Sequence, residues 1–393
     1  MIKVKEAQNI IRKNIFNLSS EQINISNSSN RILAQELYAQ NNHPNHNVSA
    51  MDGYALNIKN INPSNYFKII GESAAGSNID YELKENEGIK VYTGSKIPKG
   101  ANTVLIQENA IFENNKLFVN KIEINRHIRK KGQNFKKKDL LLGFPKKISY
   151  RDIGLMALDD REYISVYRKP KVSILSTGDE IVFPGQKRGP NQFPSANGPA
   201  LSAFVEDKGG NVIYNHIEKD NLDSITHRLQ KIQDSDLIIT TGGASVGEKD
   251  YIKSALKKLN AIIFFEKVSI KPGKPIIFAK TNNTPIFCLP GNPVSALICA
   301  EIFLRIGIDR LVGLPGNNPI ISQAVLKTDI PENGSRENYL RAKLIKNSQL
   351  CISPFLLQDS NMILDLAHSD ALIVLEPFQR AMKKGELVSF IKI

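Results

Sequence analysis

The sequence contains no tryptophan and only three cysteines, Cys288, Cys299 and Cys351, in 393 residues. The cysteines show neither pairing nor CxxC spacing, which argues against a disulfide framework or a zinc site and fits a reducing compartment. No apolar run reaches membrane-spanning length, because "ALICAEIFLRIGI" is broken by Glu301 and Arg305. The first residues, "MIKVKEAQNIIRKN", lack the apolar core of a signal peptide. We therefore expect a cytoplasmic protein.

Acidic residues are the minority, 39 against 52 lysines and arginines, which gives a formal net charge of +13. Such an excess suggests an anionic partner: nucleic acid, a membrane surface or a small anionic ligand. The densest basic run is "RHIRKKGQNFKKK", residues 126–138, and neither a nucleic-acid-binding motif nor interleaved aromatics accompany it. We expect a solvated or ligand-facing stretch here, and no binding of nucleic acid or membrane. The nucleic-acid alternative predicts a steeply salt-dependent DNA affinity.

Several familiar catalytic motifs are also missing. The chain has no GxSxG elbow and no HExxH motif, and its histidines lie apart from the acidic loops described below. Its glycine-containing loops match neither GxGxxG nor the Walker A pattern. These absences leave a polyanionic ligand, a hard metal ion, and hydrolysis or group transfer at phosphate as the favoured chemistry.

The hydrophobic pattern predicts an α/β protein of several domains. "VKEAQNIIRKNIF" has helical spacing, with Ala7, Ile10, Ile11, Asn14 and Ile15 near one face, and "SNRILAQELYAQ" predicts a second amphipathic helix. Short strand-like runs fill residues 48 to 125. From 170 to about 310, strands such as "KVSILSTG" and "DLIITTGG" alternate with helical segments, which predicts a parallel-type sheet with helices on both faces. The tail reads as strands again and predicts a C-terminal β-domain.

Two loops after predicted strands carry hydroxyls and glycines first and carboxylates afterwards: "SILSTGDE" at 173–180 and "IITTGGASVGEKDY" at 238–251. Ligands of parallel sheets bind beyond the carboxyl ends of strands, and glycines let backbone N–H groups approach an anion. Asp179, Glu180 and Asp250 would repel a bare phosphate, but Mg²⁺ between them and the phosphate would make the arrangement favourable. The alternative for either loop is a tight turn that caps the next helix.

Basic and polar residues elsewhere could complete such a site. Lys267, Lys271 and Lys274 lie three or four residues apart around a Pro-Gly turn, and lysine serves as a point charge for phosphate. A single lysine there would be ordinary surface. In the β-rich segment Asp52 and Thr93 lie in turns, where function often resides. Asp52 is equally explained as a turn-forming aspartate.

The ordered motifs "SAMDGYA", "TGSKIPKGANTVLIQE", "STGDEI", "TTGGASVGEKDY", "KPGKP" and "LPGNPVSA" span nearly the whole chain. Together they resemble the molybdopterin molybdenumtransferase family, the MoeA and gephyrin E-domain type. The resemblance implies an enzyme that takes adenylylated molybdopterin and molybdate, cleaves the phosphoanhydride with Mg²⁺, releases AMP and forms molybdenum cofactor. It also implies a homodimer, and a possible contact with the molybdopterin adenylyltransferase. The soft sulfur ligands for molybdenum would then come from the pterin rather than from protein cysteines.

The resemblance also implies a domain division and a set of site residues. We expect an elongated helical linker domain from residues 1–43 with 128–168, a β-rich domain at 44–127, an α/β molybdopterin-binding domain at 169–315 and a β-barrel-like domain at 316–393. Asp52 and Thr93 would reach the site of the partner subunit. The expected catalytic residues are Asp52, Thr93, Glu180, Asp220 and Asp250; the metal residues are Asp179, Glu180 and Asp250; the substrate-binding residues are Thr241, Gly242, Gly243, Ser245, Lys267, Lys271, Lys274, Arg336, Arg341 and Ser360.

The chain departs from the family pattern at a few positions. Gln133 and Asn134 are neutral where an acid is frequent, Ser195 replaces another acid, and Asp359 stands where glycine is common. These differences motivate an alternative: a non-catalytic protein of the same fold that binds molybdopterin or acts as a scaffold without turnover. Molybdate or tungstate as the metal substrate is left open by the sequence.

Overall fold

The structure is a computed structural model that describes residues 1–59, 66–77, 80–114, 116–119, 123–242, 251–346 and 348–393. Two units are distinguished by their contacts: Met1–Glu21, Asn30–Ala34 and Val166–Ile393 form the first, and Gln22–Ser29 and Gln35–Ser165 form the second. The described helices are α1 Val4–Asn14, α2 Tyr150–Leu158, α3 Asn197–Asp207, α4 Leu222–Lys231, α5 Tyr251–Lys258, α6 Pro293–Cys299, α7 Arg305–Leu311 and α8 Ile363–Ala367. A π-helical segment, Ala300–Leu304, joins α6 to α7. In the described part of the chain, none of these helices has the length and apolar character needed to cross a bilayer.

The N-terminal half of the chain is built mainly from short strands. Its strands are β1 Ser20–Asn24, β2 Ile32–Leu33, β3 Leu37–Tyr38, β4 Val48–Ser49, β5 Gly53–Leu56, β6 Tyr66–Ser73, β7 Glu87–Val91, β8 Thr103–Ile106, β9 Ala110–Glu113, β10 Lys116–Val119, β11 Ile128–Arg129, β12 Leu140–Leu142, β13 Lys146–Lys147 and β14 Tyr163–Tyr167. Six of them form the main sheet of the second unit, in the order β8-β5-β7-β6-β10-β9. Its buried side chains include Ala55, Ile89, Val104 and Leu117. The predicted β-rich segment is thus confirmed.

The predicted second helix, "SNRILAQELYAQ", is wrong. Residues 32–33 and 37–38 form the short strands β2 and β3, and Tyr38 of β3 pairs with Leu140 of β12. At the start of the segment Asn30 has a φ of 63°, a left-handed conformation that cannot continue a helix. Pairing with a distant strand therefore overrides the local periodicity. Residues 1–43 and 128–168 contain α1 and α2 and otherwise short strands and loops, so "helical" describes them poorly.

The centre of the first unit is a six-stranded sheet in the order β18-β15-β19-β23-β22-β20. The strands of this region are β15 Lys171–Thr177, β16 Ile181–Val182, β17 Phe193–Pro194, β18 Asn211–Glu218, β19 Leu237–Thr241, β20 Ile262–Phe265, β21 Ile270–Lys271, β22 Ile277–Thr281 and β23 Thr284–Leu289. The first four strands in the sheet are mutually parallel, as predicted, and β22 and β20 extend the sheet by antiparallel pairing. The sheet is therefore mixed: β22 runs against the four parallel strands, and the edge strand β20, antiparallel to β22, runs in their direction again.

Both faces of this sheet are covered by helices. Since alternate residues of a strand point to opposite faces, each strand contributes side chains to both of these layers. Ile174 and Ile239 pack on the face covered by α1, α3, α6 and α7, whereas Leu175 and Ile238 pack against α4 and α5. All four side chains are fully buried. These continuous apolar strands are what the sequence pattern indicated for a doubly covered sheet.

The C-terminal residues form a closed barrel. Its strands are β24 Ile321–Leu326, β25 Glu337–Lys346, β26 Leu350–Pro354, β27 Ala371–Leu375 and β28 Leu387–Lys392. They follow the order β25-β26-β24-β28-β27, and pairing of β27 with β25 closes the ring. Inward side chains such as Leu326, Ile352, Ile373 and Phe390 fill the interior. The multi-domain fold with a central α/β region and a C-terminal barrel is thereby confirmed, while the division into four domains stays a prediction.

Candidate functional site

A cavity of about 820 Å³ opens at the carboxyl edge of the central sheet. Its walls come from the segments that follow β15, β18, β19 and β23, together with the β16–β17 pair and the loop before α8. This is the edge at which parallel α/β sheets bind their ligands. The lining residues are Ser176, Thr177, Glu180, Ile181, Phe193, Pro194, Ser195, Ala196, Asn197, Asp220, Thr241, Gly242, Pro275, Pro290, Gly291, Asn292, Pro293 and Asn361.

Strand register brings the predicted loops together. Ser176 of β15 pairs with Thr241 of β19, and Thr241 pairs in turn with Leu289 of β23. Gly242 then adopts a φ of +87°, and a Cβ built there would lie 2.2 Å from the carbonyl oxygen of Thr177. Only glycine fits this close approach. The close packing of the backbone at the neighbouring ends of β15 and β19 therefore requires a glycine at position 242.

The second part of that loop, residues 243–250, lies outside the described residues. Three predicted site residues fall in it: Gly243, Ser245 and Asp250. Their expected roles stay predictions.

Two predicted carboxylates, those of Glu180 and Asp220, line the cavity from different loops. Glu180 folds back over Gly178, where an added Cβ would lie 2.6 Å from Glu180 Oε2. Asp179, one residue earlier, does not contribute to the lining. Among the residues that the structure describes, no group of three or more histidine, cysteine or acidic side chains is placed to hold a metal ion. The described acidic residues therefore offer a metal at most a partial ligand set.

Asn197, at the start of α3, is a cavity residue that the sequence pattern did not reveal. Its Nδ2 donates to Thr241 Oγ1 at 2.7 Å and to the Gly291 carbonyl at 2.7 Å. Thr241 Oγ1 donates in turn to the Pro290 carbonyl at 3.0 Å. One side chain thus ties together the ends of β19 and β23. The only local signal was an Asn at a helix start, which is ordinary for a cap.

Several buried polar atoms around the cavity have no hydrogen-bond partner in the described structure. They include Ser176 Oγ, Thr177 Oγ1 and Asn197 Oδ1, whose residues all line the cavity. Buried polar groups are normally paired, and an unpaired one costs about 1–3 kcal/mol. Such a group of atoms at one cavity wall is the expected mark of a polar ligand site.

The lysine turn lies beside the cavity rather than in its lining. Lys267, Lys271 and Lys274 are exposed, and none has a hydrogen bond or ion pair of its ammonium group with another described residue. Pro275, directly after Lys274, does line the cavity. Arg336 donates from Nη1 to the Ile270 carbonyl at 3.3 Å and so contacts the same turn.

A loop from the C-terminal barrel region also reaches the cavity. Asn292 Nδ2 donates to Ser360 Oγ at 2.9 Å, and the Val294 N–H donates to the Ser360 carbonyl at 3.2 Å. Asn361 is part of the lining. Ser360 therefore lies at the N-terminus of α6, next to the cavity, and its expected role in substrate binding stays a prediction.

Arg341 differs from the expectation that it contacts an anion. Its side chain is only 1% exposed. The guanidinium donates to Gln358 Oε1 at 3.3 Å, to the Met362 carbonyl at 2.8 Å and to the Leu357 carbonyl at 3.0 Å. Burial lowers the pKa of Arg341, and two nearby aspartates oppose this shift. In this structure Arg341 holds the Ser360 loop rather than facing the cavity.

Asp52 and Thr93 form a pair within the second unit. Thr93 donates to Asp52 Oδ1 from its backbone N–H at 2.7 Å and from its hydroxyl at 2.9 Å. The backbone hydrogen bond has the largest effect on the pKa of Asp52 and the hydroxyl hydrogen bond the next largest, and both lower it. The two residues that the sequence singled out in separate motifs are thus direct neighbours.

The residues that depart from the family pattern have local partners. Ser195 is buried and lines the cavity, with its N–H bonded to the Val182 carbonyl at 2.8 Å. Asp359 Oδ1 accepts from the Asn361 N–H at 2.8 Å, which forms a turn within the Ser360 loop. Gln133 Oε1 accepts from the Lys130 N–H at 2.8 Å. Asp359 and Gln133 therefore stabilise turns.

Three family models match consecutive parts of the chain. Residues 2–158 match the MoeA N-terminal region, described as its domains I and II. Residues 173–322 match a probable molybdopterin binding domain, and residues 323–393 match the MoeA C-terminal region, domain IV. The cavity described above is lined by residues 176–293 of the second match and by one residue of the third.

Relatives and solved structures agree with these matches. A molybdopterin molybdenumtransferase of Nostoc sp. is 31% identical over 88% of this chain and 82% of its own, and one of Haemophilus influenzae is 30% identical over 95% and 94%. Two crystal structures of a MoeA protein of Pyrococcus horikoshii, 24% and 23% identical, cover the whole chain with TM-scores of 0.87 and 0.84 and share its fold. The fold is thus that of MoeA proteins. The chain belongs to the molybdopterin molybdenumtransferase family.

Proposed function

We propose that this protein inserts molybdenum into molybdopterin, the activity for which its relatives are named. The observation that carries the proposal is the cavity at the carboxyl edge of the sheet, within the segment that matches a probable molybdopterin binding domain. Its lining combines the carboxylates of Glu180 and Asp220 with the buried hydroxyls of Ser176 and Thr177, which have no hydrogen-bond partner among the described residues. Its volume lies in the range that holds small-molecule ligands.

The finer proposal is that the pterin arrives adenylylated and that its phosphoanhydride is cleaved with Mg²⁺, releasing AMP. Mg²⁺ is usually held by one or two carboxylates together with substrate phosphates and water. Glu180 and Asp220, which line the cavity from two loops, fit such a partial ligand set. Asp250 and Asp179 stay further proposed ligands. When bound, Mg²⁺ would neutralise charge that develops on the phosphate oxygens.

The anionic substrates would be attracted by the basic residues beside the cavity. Lys267, Lys271 and Lys274 are exposed and free of described ion pairs, so their charges are available to phosphate or molybdate. Arg336, which contacts the same turn, adds a further positive charge. Molybdate is a substrate in this scheme, and Ser360 is proposed to contact it.

Other parts of the proposal rest on the family resemblance alone. We propose a cytoplasmic homodimer in which Asp52 and Thr93 serve the site of the partner subunit. A contact with the molybdopterin adenylyltransferase would deliver the adenylylated pterin. A sedimentation measurement of the purified protein tests the dimer, since a monomer at micromolar concentration would contradict it.

The activity is tested by measuring AMP release from adenylylated molybdopterin with Mg²⁺, with and without molybdate. We expect molybdate-stimulated release by the wild type, and a loss of about a hundredfold or more in Glu180→Gln, which keeps the shape but removes the charge. Asp250→Ala should be similarly impaired. Asp223→Asn serves as the control, because Asp223 of α4 is exposed, pairs with Lys258 of α5 and does not line the cavity.

The same assay decides against the non-catalytic alternative. A protein that only binds or scaffolds would bind molybdopterin tightly without releasing AMP. Release by the wild type that the Glu180→Gln change leaves intact would show instead that the cavity carboxylate has no part in the reaction.

A further inference from the structure

The carboxamide of Asn197 has a fixed orientation. Its two Nδ2 hydrogens are used by Thr241 Oγ1 and by the Gly291 carbonyl, both at 2.7 Å. A carbonyl oxygen only accepts hydrogen bonds, so the amide cannot be flipped without placing Oδ1 against Gly291 O. Thr241 cannot supply a proton to a flipped amide either, because its hydroxyl donates to the Pro290 carbonyl. Oδ1 must therefore point away from these partners.

That oxygen is buried and has no donor among the described residues. The side chain as a whole is 8% exposed and belongs to the cavity lining. An amide oxygen in this state is an acceptor that requires a donor, and leaving it unpaired costs free energy. The neighbouring unpaired atoms, Ser176 Oγ and Thr177 Oγ1, are hydroxyls that can turn to donate or accept. Of these three described atoms, the Asn197 oxygen is the one that cannot donate a hydrogen bond.

This restriction selects among the parts of the proposed substrate. Ionised phosphate oxygens and the oxygens of molybdate accept hydrogen bonds and carry no proton to donate at neutral pH. The ring and amino N–H groups of a fused nitrogen heterocycle do donate, and the pterin and the adenine of an adenylylated pterin both carry such groups. The ribose hydroxyls also donate, and the ligand comparison below separates them from the heterocycle because it changes only N–H groups.

We propose that Asn197 is a specificity-determining residue whose Oδ1 accepts a hydrogen bond from an N–H group of the bound heterocycle. This inference rests on the proposed function, since it concerns the same cavity. It assigns the oxygen to heterocycle recognition and not to the oxygens of phosphate or molybdate, which cannot donate a hydrogen bond to it. Because Nδ2 also ties β19 to β23, the same side chain couples heterocycle binding to the geometry of the strand ends.

The test compares ligands that differ by one donor. Affinities are measured for 6-hydroxymethylpterin phosphate, for analogues in which one N–H at a time is replaced by C–H, for AMP, and for purine riboside monophosphate, which lacks the amino group of AMP. The protein contains no tryptophan, so pterin fluorescence can be followed with little background. We expect one replacement to weaken binding to the wild type by roughly tenfold to a hundredfold. If the replacement that weakens binding is in a pterin analogue, Asn197 contacts the pterin. If it is the loss of the amino group of AMP, Asn197 contacts the adenine.

The variant arm separates this hydrogen bond from general damage. Asn197→Leu keeps the branched shape of the side chain, although it is larger, and should bind the matched pair of ligands with equal affinity. Asn215→Leu is the control: Asn215 packs beside α3 through Ser202, has an equally unpaired Oδ1, and does not line the cavity, so it should discriminate like the wild type. Affinities that are the same for every analogue in the wild type would overturn the inference even if Asn197→Leu failed to fold.

Two further outcomes are informative. If Asn197→Leu still distinguishes the ligands that differ by one N–H group as well as the wild type does, the inference is overturned. The N–H group of the ligand would then pair with another acceptor. AMP release by a wild type that does not discriminate would leave the proposed function standing while removing the role of Asn197. A wild type that neither binds pterin nor releases AMP would refute both the proposed function and the role of Asn197.

Discussion

Replacing Arg341 by methionine tests whether this residue holds the Ser360 loop or contacts substrate. The side chain is almost fully buried, and its guanidinium is used by the Leu357 and Met362 carbonyls and by Gln358 Oε1. Methionine fills most of the apolar volume and removes all three donors. The family resemblance implied an anion contact here, so the two interpretations lead to different results.

The expected cost follows from the hydrogen bonds. A hydrogen bond with a charged partner contributes about 1.5–3 kcal/mol, and two of the three, at 2.8 and 3.0 Å, have good length. Water can reach part of this loop, where Leu357 is exposed, and will replace some of the loss. We therefore expect Arg341→Met to lower the free energy of unfolding by about 2–4 kcal/mol. The control Lys343→Met, on the same strand, removes an exposed ion pair with Asp370 and should cost less than about 1 kcal/mol.

Urea denaturation gives the stability, and limited proteolysis reports on the loop. We expect Arg341→Met to be cleaved faster than the wild type within residues 355–362, and to lose activity in proportion to that loosening. A variant with wild-type stability and proteolysis but a much weaker dependence on molybdate would refute the reasoning. It would mean that the guanidinium turns to face the anion in the working enzyme.

Three further predictions concern single side chains. Gly242→Ala should cost roughly 2–5 kcal/mol in urea denaturation, because it adds a clash to a left-handed backbone, whereas Gly185→Ala, at a φ of 86° with no atom near the added Cβ, should cost only about 1 kcal/mol. Thr93→Val should raise the pKa of Asp52 in an NMR titration, since it removes one of two hydrogen bonds to the carboxylate; an unchanged pKa would contradict the observed pair. Burial raises the pKa of Glu337, so folding stability should fall as pH rises from the usual glutamate value through the folded-state pKa. Glu337→Gln should flatten that part of the stability profile, and an unaltered profile would assign the slope to other groups.

Local patterns were sufficient for much of the fold. Continuous apolar runs such as that of β19, bounded by glycine, indicated strands buried on both faces, and the structure has them there. Helical spacing placed Ala7 and Ile11 on one buried face of α1, and Ile15, directly after the helix, is also buried, whereas Ile10 and Asn14 are only half-buried. The failure at "SNRILAQELYAQ" has a specific reason: the pairing partner of β3 lies about a hundred residues away, in β12, and local periodicity carries no information about it.

The candidate site, like the fold, could be predicted from the sequence only in part. The sequence by itself determined that acidic and hydroxyl side chains follow adjacent strands, because residue type and chain position are enough to place Glu180 and Thr241 at strand ends. Only the tertiary structure decided which polar atoms are already used. Register and packing direct the guanidinium of Arg341 to the backbone carbonyls of a loop, which it holds in place. They also fix the amide of Asn197, a cavity residue, so that its Oδ1 acceptor stays buried without a described partner. The direction of a hydrogen bond depends on partners distant in the chain, and only folding brings those partners together.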